Sequence, residues 1–499
     1  MSDIPPTTDP EGAPAPLPHA AIMAIMTGIL LAMFLSALEQ TIVAPALPTI
    51  GRALGHVENL SWTVTAYLLA TTAATPLFGK LADIHGRRRT MLAAIMIFIV
   101  GSVVCALAPT MSTLIAGRAL QGFGGGGILP IAQTIIGDLV SPRDRPRYQS
   151  YTSMMFLGAA IAGPLMGGVL TDYLHWTMIF WINLPMGLVA LWMTDRTLRK
   201  LPRRERPHQL DVAGAALMVS AAMALMLAMS WGGTRYEWAS LPIMALLAAS
   251  AALWIAFALR VAVAPEPFIP LAILREPIVG ATALAGFFSV GVAIGLSIFL
   301  PLYFELVLGF SPSGSGVALI AYLAAATIGS FIAGRIVMRA GRYKRVQMAG
   351  LLIGIVMLTI FAARPAGLSL FEVSALLFIG GSGIGVMYPL TTTVVQNAVA
   401  PHQLGIATGA LSFARQLGGA IIVAAFGAIV LGGIGMSGRG LTLEMLRGHA
   451  NLAGADFAEV FRWLFAAGAV FLAAGLLAVA AAEEKPLRGR TGAAPIAAE

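Results

Sequence analysis

Gly79-Lys80-Leu81-Ala82-Asp83-Ile84-His85-Gly86-Arg87-Arg88-Arg89 is a short charged stretch set between two long apolar runs. Further along, Gly334-Arg335-Ile336-Val337-Met338-Arg339-Ala340-Gly341-Arg342-Tyr343-Lys344-Arg345 is a similar loop between two others. Each follows the second run of a block of six. The chain therefore reads as two related six-helix halves. Repeated halves around a central site are a transporter architecture.

Outward from these loops, apolar runs continue along the chain. The first six lie at about 20–45, 60–78, 91–108, 112–136, 150–171 and 177–195. Two more fall at about 211–230 and 241–260, and the last six at about 278–304, 314–337, 346–362, 371–395, 406–432 and 460–482. Each is near the roughly 20 residues that cross a bilayer. Composition points the same way. Of 499 residues, 58% are hydrophobic and 11% charged, whereas soluble domains carry about a quarter charged residues. That excludes a soluble protein, and long unbroken runs exclude a β-barrel. The expected fold class is an all-α integral membrane protein with 14 spans.

The expected organisation begins with a disordered cytoplasmic tail over 1–19, a six-helix half over 20–195 and a basic cytoplasmic loop over 196–210. Two inserted helices over 211–260, a second half over 278–482 and a cytoplasmic tail over 483–499 follow. The first tail contains Asp3, Asp9 and Glu11 and no Lys or Arg, so it has no secretory n-region. With the N-terminus inside, 23 of the 31 Lys and Arg fall in inside segments, 6 outside, and Arg118 and Arg415 within spans. That asymmetry follows the positive-inside rule only when the number of spans is even. Both termini are thus expected in the cytoplasm, the chain being multi-pass in a plasma or inner membrane. The net charge of +8 belongs to these loops, and nucleic acid is not an expected partner.

Several motifs fail on context. Gly122-x-Gly124-x2-Gly127 has dinucleotide-fingerprint spacing, yet it sits in an apolar span with no strand before it. It reads as a helix-packing run. Lys80, Lys200, Lys344 and Lys485 precede Leu, Leu, Arg and Pro, so no phosphate loop for ATP is present. The seven His lack metal spacing, and the single Cys105 rules out a disulfide framework. No cofactor and no metal are expected.

Five motifs then stand in order on successive spans. They are Leu38–Pro48 (LEQTIVAPALP), the Gly79–Arg89 loop, Leu114–Gly126 (LIAGRALQGFGGG), Gly158–Gly168 (GAAIAGPLMGG) and Trp181–Gly187 (WINLPMG). Together, over about Ala20 to Ala482, they resemble the major facilitator superfamily, and within it the fourteen-helix drug:proton antiporter branch. The resemblance implies two six-helix halves plus two inserted helices, and proton-coupled export of drugs. Two departures stand out. Glu39 occupies the position where the first-helix motif usually has Asp. Trp176-Thr177-Met178 lacks the Arg of the usual Trp-Arg-Trp.

Charged residues within spans are the leading site candidates, because an ionised group in the bilayer core costs at least about 2.5–3.5 kcal/mol. Glu39 lies roughly 10–12 Å from the outer end of the first helix and Arg118 about 9 Å down the fourth, at 1.5 Å per residue. The two share a depth, with Gln121 in the same motif. Either Glu39 carries a proton under the influence of burial and Arg118, or the two form a fixed structural pair or line the cavity independently. Arg415 lies near the midplane, lining the cavity or pairing with a carboxylate that the sequence does not identify.

At the cytoplasmic surface, the resemblance gives the loop motif, with Gly79, Asp83, Gly86 and Arg87, the task of tying helices together across the halves. Asp138 is the expected partner of Arg87. Arg88 and Arg89 read as topology anchors. Small residues let helices approach closely and a mid-helix Pro removes one hydrogen bond. Gly158, Gly163, Pro164, Gly167 and Gly168 thus make either a hinge or seal, or ordinary tight packing. Asp172, Glu305 and Glu372 read as interfacial.

The expected function is secondary active transport, as proton-coupled efflux of amphipathic or cationic small molecules. The alternative is export of a specific metabolite such as a siderophore or pathway product. An intramembrane enzyme is more remote, since no His/Glu or Asp/Asp pair at helical spacing falls within a span. Expected partners are a small-molecule substrate, protons and the bilayer, with a membrane-fusion or outer-membrane partner left open.

Overall fold

The computed structural model describes residues 19–55, 60–140, 144–199, 211–233, 235–265, 267–268, 273, 276–310, 312–435 and 454–487. Most of the expected first tail, the basic loop from 200 to 210 and the last residues of the second tail lie outside them.

The first half comprises α1 (His19–Ile42), a short α2 (Leu47–Leu54), α3 (Leu60–His85), α4 (Arg87–Ala106), α5 (Met111–Leu139), α6 (Arg145–Tyr173) and the pair α7 (Met178–Trp181) and α8 (Asn183–Leu198). The inserted pair is α9 (Val212–Trp231) and α10 (Leu241–Val263). The second half comprises α11 (Pro277–Leu306), α12 (Pro312–Ala340), α13 (Lys344–Ala363), the pair α14 (Leu370–Gly385) and α15 (Met387–Ala398), α16 (Leu404–Gly435) and α17 (Gly454–Ala481). Counting α7/α8 and α14/α15 as one span each gives the expected order of six, two and six.

Both broken spans have a proline three residues past the break, although Pro76, Pro130, Pro164 and Pro301 sit inside helices that stay continuous. A helical Pro185 would have to donate to the Trp181 carbonyl, and Pro389 to that of Gly385. Proline has no N–H, so one hydrogen bond is missing beside each interruption, at Ile182 and at Val386. Twelve helices among the described residues are long and apolar enough to cross a membrane. The long helices missing from that group are α3 and α5, which are rich in Thr, Gly and Gln. At 26 and 29 residues they are nevertheless about 39 and 43 Å long. They pack against each other, with α4 on the other side of α5. Nineteen of the 29 residues of α5 are buried, so little of its surface needs to be apolar enough for lipid.

Each half has its own apolar core. One is built from residues between Ile25 and Leu198, the other from residues between Ala285 and Val479. The core of α9 and α10 merges with the second half, through Phe257, Val261, Leu404 and Leu411. The hydrogen bonds that join the halves lie toward the end carrying the Gly79–Arg89 loop, here named the basic end. They include Thr72 Oγ1 to Gln416 Oε1 (3.0 Å), Gln133 Nε2 to Tyr388 Oη (2.9 Å) and Ser150 Oγ to Ser330 O (3.1 Å).

The sequence echo has a structural counterpart. Gly86 ends α3 with φ of 85° and Gly341 ends α12 with φ of 68°. Neither would bring an added Cβ within 4 Å of anything. The backbone angle, not space, selects glycine at both. Seven residues earlier, Gly79 and Gly334 each face the opposite half. A Cβ on Gly79 would come 2.7 Å from the Gly405 carbonyl oxygen, and one on Gly334 would come 3.0 Å from that of Pro146.

Candidate functional site

Glu39 and Arg118 meet in the first half, on α1 and α5, away from the basic end. Glu39 is 0% exposed and Arg118 1%. Arg118 Nη1 donates to Glu39 Oε1 and to Gln121 Oε1 (2.6 Å), and its Nε donates to the Thr63 carbonyl (2.9 Å). Its guanidinium carbon stands 4.4 Å from the Tyr67 ring centroid, a cation–π contact. Asn183 Nδ2 donates to Glu39 Oε2 (2.6 Å), and Gln121 Nε2 donates to Ser102 Oγ (2.7 Å). Both carboxylate oxygens are therefore taken, in a network drawn from five helices.

Glycine makes this network possible. Side chains at Gly122, Gly124 and Gly126 would run into Tyr67, Phe98 and Thr71. Their absence lets α5 close on both α3 and α4. Asn183 and Ser102 were not singled out in the sequence. Asn183 lies inside the WINLPMG motif, but a neutral amide gives no charge signal. Its Oδ1 has no partner among the described residues.

The second cluster lies at the basic end. Asp83 Oδ1 accepts from Arg87 Nη1 (2.5 Å) and from the Gly405 N–H (3.1 Å), while its Oδ2 accepts from the Ile406 N–H (2.8 Å). These are first-turn amides of α16, which have no partner within their own helix. Asp83 thus caps a helix of the opposite half and places a negative charge at its positive end. Arg87 Nε continues the chain to Asp138 Oδ2 (3.0 Å). Arg88, read as a topology anchor, in fact pairs with Asp195 on α8, an acid the sequence reading left unassigned.

The α6 motif divides. Side chains at Gly163 and Gly167 would collide with Thr41 and Ile42 of α1. Gly158 would meet only Phe34, at 3.8 Å, Gly168 nothing, and Pro164 is exposed. Two of the four glycines therefore set the α1–α6 approach. Glu372 forms a capping box with Ser369, and Glu305 accepts from Ser315 Oγ (2.8 Å).

Arg415 sits between α16 and α15 without a carboxylate partner among the described residues. Its Nη2 donates to Tyr388 O (2.8 Å), Thr391 Oγ1 (2.5 Å) and Thr392 Oγ1 (2.8 Å). No group of three or more His, Cys, Asp or Glu able to hold a metal occurs among the described residues.

Residues 29–423 match the sequence profile described as Major Facilitator Superfamily. An uncharacterized MFS-type transporter of Mycobacterium tuberculosis (strain ATCC 25618 / H37Rv) is 35% identical over 405 residues, covering 81% of this chain and 59% of that one. The chain therefore spans less than two thirds of the length of that relative. Multidrug transporter protein MdtP of Bacillus subtilis (strain 168) is 33% identical over 410 residues, with 81% and 75% covered. Multidrug resistance protein 3 of the same strain is 32% identical over 413 residues, with 82% and 80% covered. Among solved structures, the human organic anion transporter MFSD10 superposes with a TM-score of 0.61 at 18% identity, over 91% of this chain and 100% of that one. A bacterial homologue of the iron transporter ferroportin, in its outward-facing state, gives 0.62 at 13%, over 91% and 98%. These two likenesses concern the fold alone.

Proposed function

Because the chain belongs to the Major Facilitator Superfamily, we propose that it is a proton-coupled antiporter that exports amphipathic or cationic small molecules across a cell membrane, with both termini in the cytoplasm. The multidrug names of the Bacillus subtilis relatives support the substrate class. The positive-inside distribution of Lys and Arg supports the orientation.

The observation that carries the reading is Glu39. It is a carboxylate with no exposed surface, held by Arg118 and Asn183 in a bundle whose halves join toward one end. Separate apolar cores let the halves rock as bodies. The joint between them combines close glycine contacts, a few hydrogen bonds and the ring contacts Tyr151–Phe331 and Phe156–Tyr388. The Asp83 cap on α16 joins the two halves at the basic end and supports its reading as the contact that holds this end shut. When that end opens, Glu39 faces a different solvent path. Protonation cancels the charge that holds Arg118, and a cationic group competes for the same carboxylate.

Efflux from everted vesicles with an imposed pH gradient tests the reading. Export collapses on addition of a protonophore and survives ATP depletion while the gradient lasts. Transport that follows ATP alone overturns it.

A further inference from the structure

Arg415 is 3% exposed, and its described acceptors are all neutral: one carbonyl and two hydroxyls on α15. Its Nε and Nη1 are buried and have no acceptor among the described residues. The acidic residues in the described spans of the second half, Glu305, Glu372, Asp456 and Glu459, all fall toward the far end, away from Arg415. The contrast with Arg118 is direct, since Glu39 neutralises that guanidinium. At Arg415 a positive charge is held out of water with two of its nitrogens unpaired. Such a group gains strongly from an anion that satisfies it.

In the closed arrangement the site is packed shut, and an anion reaches it only when the halves part. The α11 wall beside Arg415 is glycine, and a Cβ on Gly286 would stand 3.6 Å from Nε. On the other face the guanidinium carbon lies 4.3 Å from the Tyr388 ring centroid. Tyr388 in turn is held by the first half. Its hydroxyl accepts from Gln133 (2.9 Å) and its ring meets Phe156 edge-on at 5.6 Å. Those two contacts cross the joint, so parting the halves at the basic end would remove Gln133 and Phe156 from beside Tyr388 and open the Arg415 side of the second half to solvent.

We propose that Arg415, with Tyr388, Thr391 and Thr392, is an anion-receiving subsite that takes the carboxylate or sulfonate of an amphipathic substrate loaded from the basic end. The inference rests on the exporter reading for its direction of loading, and extends the substrate class to amphiphiles that carry a negative group. Glu39 is not its competitor, because both oxygens of Glu39 are already engaged.

The test uses the full chain in phosphatidylcholine nanodiscs with two probes of one shape, naphthalene-2-sulfonate and naphthalene-2-sulfonamide. Binding is read by titration and by the rise in unfolding temperature that a native-state ligand produces. The wild type is expected to bind the sulfonate at least about tenfold more tightly, a 1.4 kcal/mol difference. Arg415→Gln brings the ratio to one, and Arg415→Lys keeps part of it. If Arg415→Gln does not fold, the wild-type ratio and Arg415→Lys still decide the matter. Equal wild-type binding of the two probes, or an undiminished preference in Arg415→Gln, overturns the proposal. So does loss of sulfonate binding in phosphatidylglycerol discs, which would assign the site to a lipid headgroup. No gradient enters the measurement, so a failure of proton coupling in vesicles remains a separate result.

Discussion

Glu39→Gln removes one negative charge while keeping the shape of the side chain. Arg118 then loses its ionic acceptor but keeps Gln121 Oε1, the Thr63 carbonyl and the Tyr67 ring. Removing one member of a buried ion pair costs about 3–5 kcal/mol. The new amide oxygen still accepts from Arg118, and a neutral hydrogen bond retains about 0.5–1.5 kcal/mol. Asn183 can turn its amide, so that its unpartnered Oδ1 accepts from the new NH2 group. The cost is therefore expected near the lower bound, about 3 kcal/mol, and the protein stays folded. Gradient-driven efflux falls to background, and substrate-induced proton release disappears. Glu39→Asp retains partial activity, because the charge persists with shorter reach. Thermal unfolding of the purified protein adds a second readout. The double variant Glu39→Gln/Arg118→Gln should be less destabilised than the sum of its singles, because no uncompensated charge remains. Wild-type pumping and proton release by Glu39→Gln would refute the coupling role, and strict additivity in the double variant would refute the energetic pairing.

Asp83→Asn weakens both the Arg87 pair and the α16 cap. A charge at a helix terminus is worth about 0.3–1 kcal/mol, up to ~2 when partly buried, so the population open at the basic end rises by up to about 30-fold. Spin-label distances between α3 and α16 read that shift, transport falls at nearly unchanged membrane abundance, and normal transport refutes the gate. Gly167→Ala places a methyl against the Ile42 carbonyl and lowers the unfolding temperature, whereas Gly168→Ala, with nothing within 4 Å, does not lower it, because alanine is the better helix former. A reporter fused after Lys485 reads cytoplasmic and one inserted near Gly438, outside the described residues, reads external. The opposite result at either site refutes the orientation.

The order of spans was legible because bilayer thickness imposes a length on every apolar run. Depth arithmetic brought Glu39 and Arg118 to one level because helical rise is constant. The structure adds what neither signal carries. Asn183 and Ser102 are neutral, so nothing in composition marks them as parts of the network. The α16 cap was hidden for another reason: its donors are backbone amides of Gly405 and Ile406, which no side chain announces. Of the two expectations for Arg415, lining the cavity or pairing with a carboxylate, the second finds no partner among the described residues, where its neighbours are hydroxyls and a carbonyl. Gly163 and Gly167 could not be told from Gly158 and Gly168 by sequence, because only the position of α1 separates those that touch from those that do not.

The inserted pair has a consequence for how the bilayer meets the moving parts. The halves adjoin along two flanks, α3 against α16 and α6 against α12. On the first, α9 lies across both helices, Trp62 meets Trp231 with ring centroids 5.6 Å apart, and Trp254 meets Phe413 at 6.3 Å. On the second, Met154 and Ile161 of α6 and Ile328, Ile332 and Ile336 of α12 are exposed. Acyl chains therefore press on one flank while protein shields the other. If the halves move against each other, lipid meets that motion along α6 and α12, whereas α9 covers the α3 and α16 flank.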